Sequence, residues 1–468
     1  MPKGDSGYSG IAESSRALRA AVLSPVRLVE DMLERIAQLD PKLHAFIDVD
    51  ARGALVQAQQ AEREIAGGHW RGPLHGIPIA IKDNIDTAGR PTTCHSAIME
   101  REPALRDAPV VSRLRGAGAI LIGKTALHEF ATGGPAFDLP WPPARNPWNP
   151  ALHPGGSSSG SACAVASGLA SAALGTDTGG SVRHPASCCG VVGLKPTYDL
   201  IEREGIFPLS FSLDHVGLIT RSIEDCAILL DAVARPRPRL GSSDVRAAGH
   251  FANRLADDLC LGIRGLRIGV IRHFYLEDEE ADPPVVQGIE AAVEVLRRLG
   301  ASAEPVRMSP LRVWSACGRV IQQAEQYTIH EPWLRKRPQD YCALSRRKLV
   351  AGAFLSAHDY VRALQTRRVL CEEFEALMQR FDALVTASSM TTPCAIDDPD
   401  AIARTYERHA RMPFNVTGTP ALSLPVGFTP EGLPLGMQIA ARAHDEQMLF
   451  RVAAAYEGAT RWGERHPP

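Results

Sequence analysis

The stretch "GGSSSGSACAVASGLASAALGTDTGGSVRHPAS", residues 155–187, carries eight serines in thirty-three positions. Either one of them is a nucleophile or the segment is a Gly-rich structural turn. Three local patterns offer a shortcut, and each fails on its surroundings. "GSSSG" at 156–160 fits the G-x-S-x-G of a nucleophile elbow, which needs a strand running straight into the turn. The approach, residues 140–156, holds six prolines, and proline cannot donate to a sheet ladder. "GAILIGKT" at 118–125 fits the P-loop pattern, but its inner residues 119–122 make an apolar strand and no phosphate-cradling loop. Lys124 therefore reads as a strand-end lysine. "SRRK" at 345–348 fits S-x-x-K by chance, on what reads as a basic, solvated helix.

A serine hydroxyl must lose its proton as it attacks. The base need not be histidine, because burial disfavours the ammonium form of a lysine and frees its amine. Bringing a lysine from ~10.4 to ~7 takes roughly 4–5 kcal/mol of differential stabilisation. Lys82 closes the apolar run "GIPIAIKD" at 76–83 and is the best candidate. The alternative is a surface lysine paired with Asp83 or Asp86. His184, His215 and His409 have no distinctive context and read as structural. The attacked carbonyl also needs preorganised donors for its oxyanion. "GTDTGGS" at 175–181 offers the consecutive N–H groups of Thr178, Gly179, Gly180 and Ser181. Taken alone, it could equally be a Gly-rich turn with a capping serine.

Around this centre the chain alternates helical and strand-like runs. "SSRALRAAVLSPVRLVEDMLERIAQLDPKLHAFI" reads as two amphipathic helices, the second opened by Ser24-Pro25. "ARGALVQAQQAEREIAGG" is a third helix, "AILIGKT" a strand, and "SACAVASGLASAAL" a small-residue helix. Residues 133–160 are irregular and rich in Pro, Gly and Ser, on the scale that usually carries function. "LRIGVIRHF", "FDALVTASS" and "PALSLPVGF" are later strands, and "DPPVVQGIEAAVEVLRRLG" is a helix. The expected fold is α/β, one large domain over 1–468 with a central mixed sheet covered by helices on both faces. Within it, 1–68 is an N-terminal helical segment, 75–230 a catalytic core, 232–250 a basic, Pro-rich linker-like insertion, and 262–468 the remainder.

The composition is that of an ordinary globular chain: 468 residues, 45% hydrophobic, 22% charged, net charge −2. That balance leaves no electrostatic footprint for nucleic acid or an anionic membrane. No run approaches a membrane span or a signal peptide, so a cytoplasmic setting is expected. The ten cysteines never form C-x-x-C, and H-E-x-x-H is absent. They read as structural thiols, and no metal is expected.

At these residues the chain resembles the amidase signature family. "GGSSSGSACAVASG" and "GTDTGGSVRHPASCCGVVGLKPT" are similar to its signature, and "GIPIAIKDNID" to its lysine segment. The likeness extends from "LSPVRLVEDMLERIAQLDPKLHAFI" through "RNPWN" and "SLDHVG" to "PFNVTGTPALSLPVGFTPEGLPLGMQIAA". The resemblance implies Ser181 as nucleophile, Ser157 as bridging serine after a cis Gly156–Ser157 bond, and Lys82 as base. It also implies that Ser158, Asp177 and Arg183 orient this core. One departure is Ser159, where the family's usual "GGSSGGS" has glycine.

The implied reaction is hydrolysis of a non-peptide C–N bond through an acyl-enzyme, without cofactor or metal. The expected substrate is a small linear amide, with carbamates and esters within reach, and the expected enzyme is a free-standing monomer or homodimer that binds neither nucleic acid nor membrane. The alternative is the glutaminase (A) component of a tRNA-dependent amidotransferase, which this chain also resembles and which releases ammonia from glutamine for a partner protein. Residues 306–380 depart from that component's pattern. Apolar and small residues in "FATGGPAFDLPWPP", "FPLSFSLDH" and "ASSMTTPCA" suggest a neutral acyl pocket, with anilides preferred to free glutamine.

Overall fold

Two runs that end in functional residues lie side by side at the centre of the sheet. "PIAIK", β2 (Pro78–Lys82), and "AALGTD", β4 (Ala172–Asp177), are buried at every position. A near-continuous apolar run of this kind suits a parallel strand covered on both faces. β2 and β4 pair in parallel, Ile81 opposite Leu174, so Lys82 and Asp177 emerge at the same edge. The computed structural model describes residues 8–99, 101–235, 257–258 and 261–468. Most of the expected linker, 236–250, lies outside the described residues, while Val233 still belongs to helix Ile223–Val233.

The remaining strands are β1 (Phe46–Val49), β3 (Ile120–Thr125), β5 (Val192–Lys195), β6 (His215–Thr220), β7 (Arg267–Val270), β8 (Ser302–Pro305), β9 (Ala383–Ala387), β10 (Ala421–Phe428) and β11 (Pro434–Ala440). They form one eleven-stranded sheet in the order β1-β3-β2-β4-β6-β5-β10-β11-β9-β7-β8. β2 is parallel to β3 and β4, and β7 is parallel to β8 and β9, while the middle of the sheet is antiparallel. The chain is thus a single large α/β domain with a mixed sheet flanked by helices. Among the described residues, no helix is long and apolar enough to cross a membrane.

Local chemistry explains most boundaries. Ser24 accepts from the amides of Val26 and Arg27 and caps helix Pro25–Leu43, whose first residue is proline. Lys124 lies on strand β3, as its context suggested, and pairs with Asp83 at 3.0 Å. The expected helix over 161–174 is corrected. Helix Ser159–Ala166 stops short, Gly168 takes a positive φ of 68°, and the chain re-enters as β4. A short apolar run has no period that separates buried strand from buried helix.

The Asp83–Lys124 pair is 1% and 3% exposed. Lys124→Met is expected to lower stability by about 3–5 kcal/mol, the usual cost of stranding a buried charge. The check is a urea denaturation midpoint. A stability within about 0.5 kcal/mol of wild type, the range of an ordinary surface substitution, would refute the pair's structural weight.

Candidate functional site

Lys82 leaves β2 with its side chain wholly buried. Its Nζ donates to Ser157 Oγ at 2.9 Å and Thr176 Oγ1 at 2.8 Å. Neither aspartate beside it is its partner: Asp83 is taken by Lys124, and Asp86 accepts from Thr92 Oγ1. Burial therefore dominates and lowers the amine to about 7, against the opposing pull of Asp177, Asp214 and Cys94. Lys195 is buried as deeply, but its amine is spent on the carbonyls of Thr419 and Pro196. Lys82 instead makes its two short bonds to hydroxyls, with the Thr176 carbonyl further off at 3.5 Å.

Ser157 follows a cis peptide bond from Gly156. Ser158 stands at the N-cap of helix Ser159–Ala166, its N–H bonded to the Ser181 carbonyl at 3.0 Å, so the two serine turns are tied back to back. Ser158 Oγ also donates to the carbonyl of Thr176. Ser159, the departure from the family pattern, starts the helix and is buried; its hydroxyl donates to the Ala126 carbonyl at 3.5 Å.

Asp177 organises the turn that follows β4. Its carboxylate accepts from the amides of Gly180, Val182 and Arg183, from the Arg183 guanidinium at two points, and from Asn415 Nδ2. Burial works to raise this carboxyl. The Arg183 charge and these donors outweigh it and hold the group far below the carboxylate range. Arg183 goes on to Gln438 Oε1, Asn415 Oδ1 and the Arg411 carbonyl, which locks the turn to β11 and to residues 411–415. Gly180 has φ 121°, and a Cβ there would run into the Arg411 side chain.

The expected nest of four donors is corrected in one member. The Gly180 amide is committed to Asp177 at 2.8 Å. Among the described residues, the amides of Thr178, Gly179 and Ser181 carry no acceptor. Ser181 itself is half-buried and opens onto the same cavity. Ser157, Thr178, Gly179, Gly180 and Ser181 all line one cavity of about 230 Å³.

The opposite wall of that cavity departs from expectation. Of the three apolar segments, only Ala131, Thr132, Gly133 and Leu209 reach it, and none of 387–395 does. Phe130 and Phe207 instead pack against His330 and stack on Trp333 in a separate cluster. The wall is polar, with Gln322 and Gln326 beside Arg319, Lys348 and Glu407. Arg319 and Glu407 pair at 3.4 Å, and Lys348 donates to the Gly133 carbonyl. Lys348 closes "SRRK", so the solvated reading of helix Ala343–Val350 is corrected on this face: Ser345 is buried and Lys348 lines the cavity.

Sequence reasoning missed Thr176, Asn84, Asn415 and Gln438. The signal for two of them was adjacency, since Asn84 and Thr176 lie inside the motifs that supplied Lys82 and Asp177. Asn84 Nδ2 donates to Thr176 Oγ1 and fixes the hydroxyl that receives Lys82. Among the described residues, one trio has metal-ligand types close together: His153, His184 and Cys188, with ligand atoms within 4.8 Å. Their hydrogen bonding runs against a metal. Both Nδ1 atoms accept backbone N–H groups, which places the neutral ring proton on Nε2, whereas a ligating histidine donates from its second nitrogen.

A family model described as Amidase matches residues 27–450. The A component of glutamyl-tRNA(Gln) amidotransferase from a Cyanothece strain is 38% identical, covering 98% of this chain and 99% of its own. A solved chain described with the evolutionary origins of an s-triazine catabolic enzyme matches with a TM-score of 0.88 at 30% identity, over 97% of this chain and 99% of that one. Peptide amidase from Stenotrophomonas maltophilia matches at 0.83 and 32%, over 98% of each. The first relative corrects the expectation of a monomer or homodimer that has no dealings with nucleic acid. Its name is that of one component of an enzyme acting on a tRNA. A near-neutral net charge does not by itself exclude contact with a nucleic acid made through the other proteins of an assembly. The fold and the 27–450 match agree: the chain belongs to the amidase signature family, hydrolases that act on carbon–nitrogen bonds.

Proposed function

We propose that this chain is the amide-cleaving component of a tRNA-dependent amidotransferase, releasing ammonia from glutamine through an acyl-enzyme on Ser181. The observation that carries this reading is the charged wall facing the serines. Arg319 and Lys348 suit a carboxylate and Glu407 an ammonium, and free glutamine bears both. The relatives named as amidotransferase components support the same reading.

In this mechanism neutral Lys82 draws a proton from Ser157 as Ser157 takes one from Ser181. The Ser181 Oγ–carbon bond forms, and the oxyanion settles on the free amides of the 178–181 turn. One such donor is worth ~3–4 kcal/mol in the transition state. The C–N bond then breaks, ammonia leaves with the proton returned along the relay, and water cleaves the ester. Asp177 and Arg183 hold the turn, and Ser158 joins it to the Ser157 loop. The free cysteines among the described residues fit a reducing, cytoplasmic setting.

A second reading, a free-standing hydrolase of linear amides with carbamates and esters within reach, is favoured by the likeness to peptide amidase. The two readings diverge on glutamine.

A fluorophosphonate is expected to label Ser181, and Ser181→Ala or Lys82→Ala to abolish labelling without loss of fold. Label on Ser158 would overturn the assignment. The base works when neutral, so the labelling rate should rise with pH through about 7, following the lowered Lys82, and hold in the alkaline range.

Ammonia release from glutamine should exceed anilide hydrolysis when the chain is assembled with its partner proteins. Anilide turnover by the isolated chain at a higher kcat/KM than glutamine under either condition would favour the free-standing hydrolase.

A further inference from the structure

Three consecutive residues of the Ser157 turn are held by three histidines. The Gly155 N–H donates to His153 Nδ1 at 3.0 Å, and the Gly156 N–H to His184 Nδ1 at 3.3 Å. The Ser157 carbonyl accepts from the backbone N–H of His128 at 3.1 Å. All three imidazoles pack around the ring of Tyr406, with centroid separations of 5.6 Å for His128, 5.3 Å for His153 and 4.9 Å for His184. An amide N–H can only donate, so the Nδ1 atoms of His153 and His184 must each present a lone pair, and both neutral rings carry the proton on Nε2. His153 is buried, and its Nε2 has no partner. A buried donor is left unsatisfied only where something else is gained. Here the gain is the acceptor at the other end of the ring.

We propose that His153 and His184 are positioning residues of this enzyme, using their Nδ1 lone pairs on the Gly155 and Gly156 amides to aim the Ser157 hydroxyl between Lys82 and the cavity. The inference rests on the reading of Ser157 as the proton relay. Burial is the main reason that both rings stay neutral: it lowers His153 to about 4 and His184 well below the usual imidazole range. Arg411, whose guanidinium lies among the same residues, pushes both the same way. The acceptor form therefore persists at every pH where Lys82 is active. The neighbouring backbone leaves little room to compensate, since a Cβ on Gly156 would collide with the His128 ring.

Side-chain geometry separates this role from mere packing. Asparagine places an oxygen where Nδ1 stands, whereas glutamine places its amide near Nε2. The test is the second-order rate of fluorophosphonate labelling of the full-length chain, followed by intact mass and peptide mapping, with thermal melting on each variant. His184→Asn should label Ser181 within about threefold of wild type, and His184→Gln should fall by about tenfold or more, the scale of a lost hydrogen bond and a misplaced relay. His153→Asn and His153→Gln should divide in the same way, which keeps the test alive if one position tolerates no glutamine. Equal rates for Asn and Gln variants of unchanged melting temperature would overturn the positioning role. Wild-type label on any residue but Ser181 would instead overturn the underlying reading of the site.

Discussion

The site depends on one buried carboxylate. Asp177 is out of reach of water, and its position is stable only because donors surround it on every side. Taking a charge out of water costs several kcal/mol even after relaxation, and only a paired and fully hydrogen-bonded geometry offsets that. Arg183 meets the requirement as a bidentate partner and is itself consumed by Gln438, Asn415 and a carbonyl. Through these bonds the turn after β4 is braced against β11 and residues 411–415, elements more than two hundred positions away in the chain. The free amide of Ser181 is a by-product of that bracing. Asp177 takes the amides on either side of it, those of Gly180 and Val182, and the one between is left without an acceptor at the cavity.

Lys82 shows the opposite treatment of a buried charge. No counter-ion is supplied, although Asp83 is its neighbour in sequence. β2 and β3 settle the matter, because Lys124 arrives beside Asp83 on the adjacent strand and takes it. Asp83 is the first residue after β2, and its side chain and that of Lys82 meet different partners. One lysine is thereby given a carboxylate partner, and the other keeps hydroxyl partners and an amine lowered by burial.

Much of the fold could be read from the chain because helix caps and apolar strands are local signals. Ser24-Pro25 and "PIAIK" needed no tertiary information. The early end of helix Ser159–Ala166 was hidden because small apolar residues satisfy either backbone. The site divides along the same line. Lys82 and the 178–181 turn sit in contiguous motifs, whereas Asn415, Gln438 and Lys348 reach the site only through pairing of distant strands and helices. The cavity wall was misread for a further reason: Phe130 and Phe207 find other aromatic rings before they find the cavity. Hydrophobic composition predicts burial, not which void is lined.

The cavity is walled by two separate parts of the chain. Its serine side is contributed by residues 128–184, on strands and turns locked by Asp177. Its opposing side comes from helix Leu311–Lys336, helix Ala343–Val350 and Glu407, whereas Tyr406 and Arg411 belong with the serine side. None of Lys82, Ser157 and Ser181 sits on that second surface, and none of the bonds that hold Asp177 runs to Gln322, Arg319 or Glu407. Such a division lets the chain exchange one set of side chains for another across an unaltered reaction centre. Descendants of a common ancestor could then part company over what they cleave while keeping how they cleave it, which is the pattern that one fold shared by a tRNA-enzyme component and a peptide amidase would leave behind.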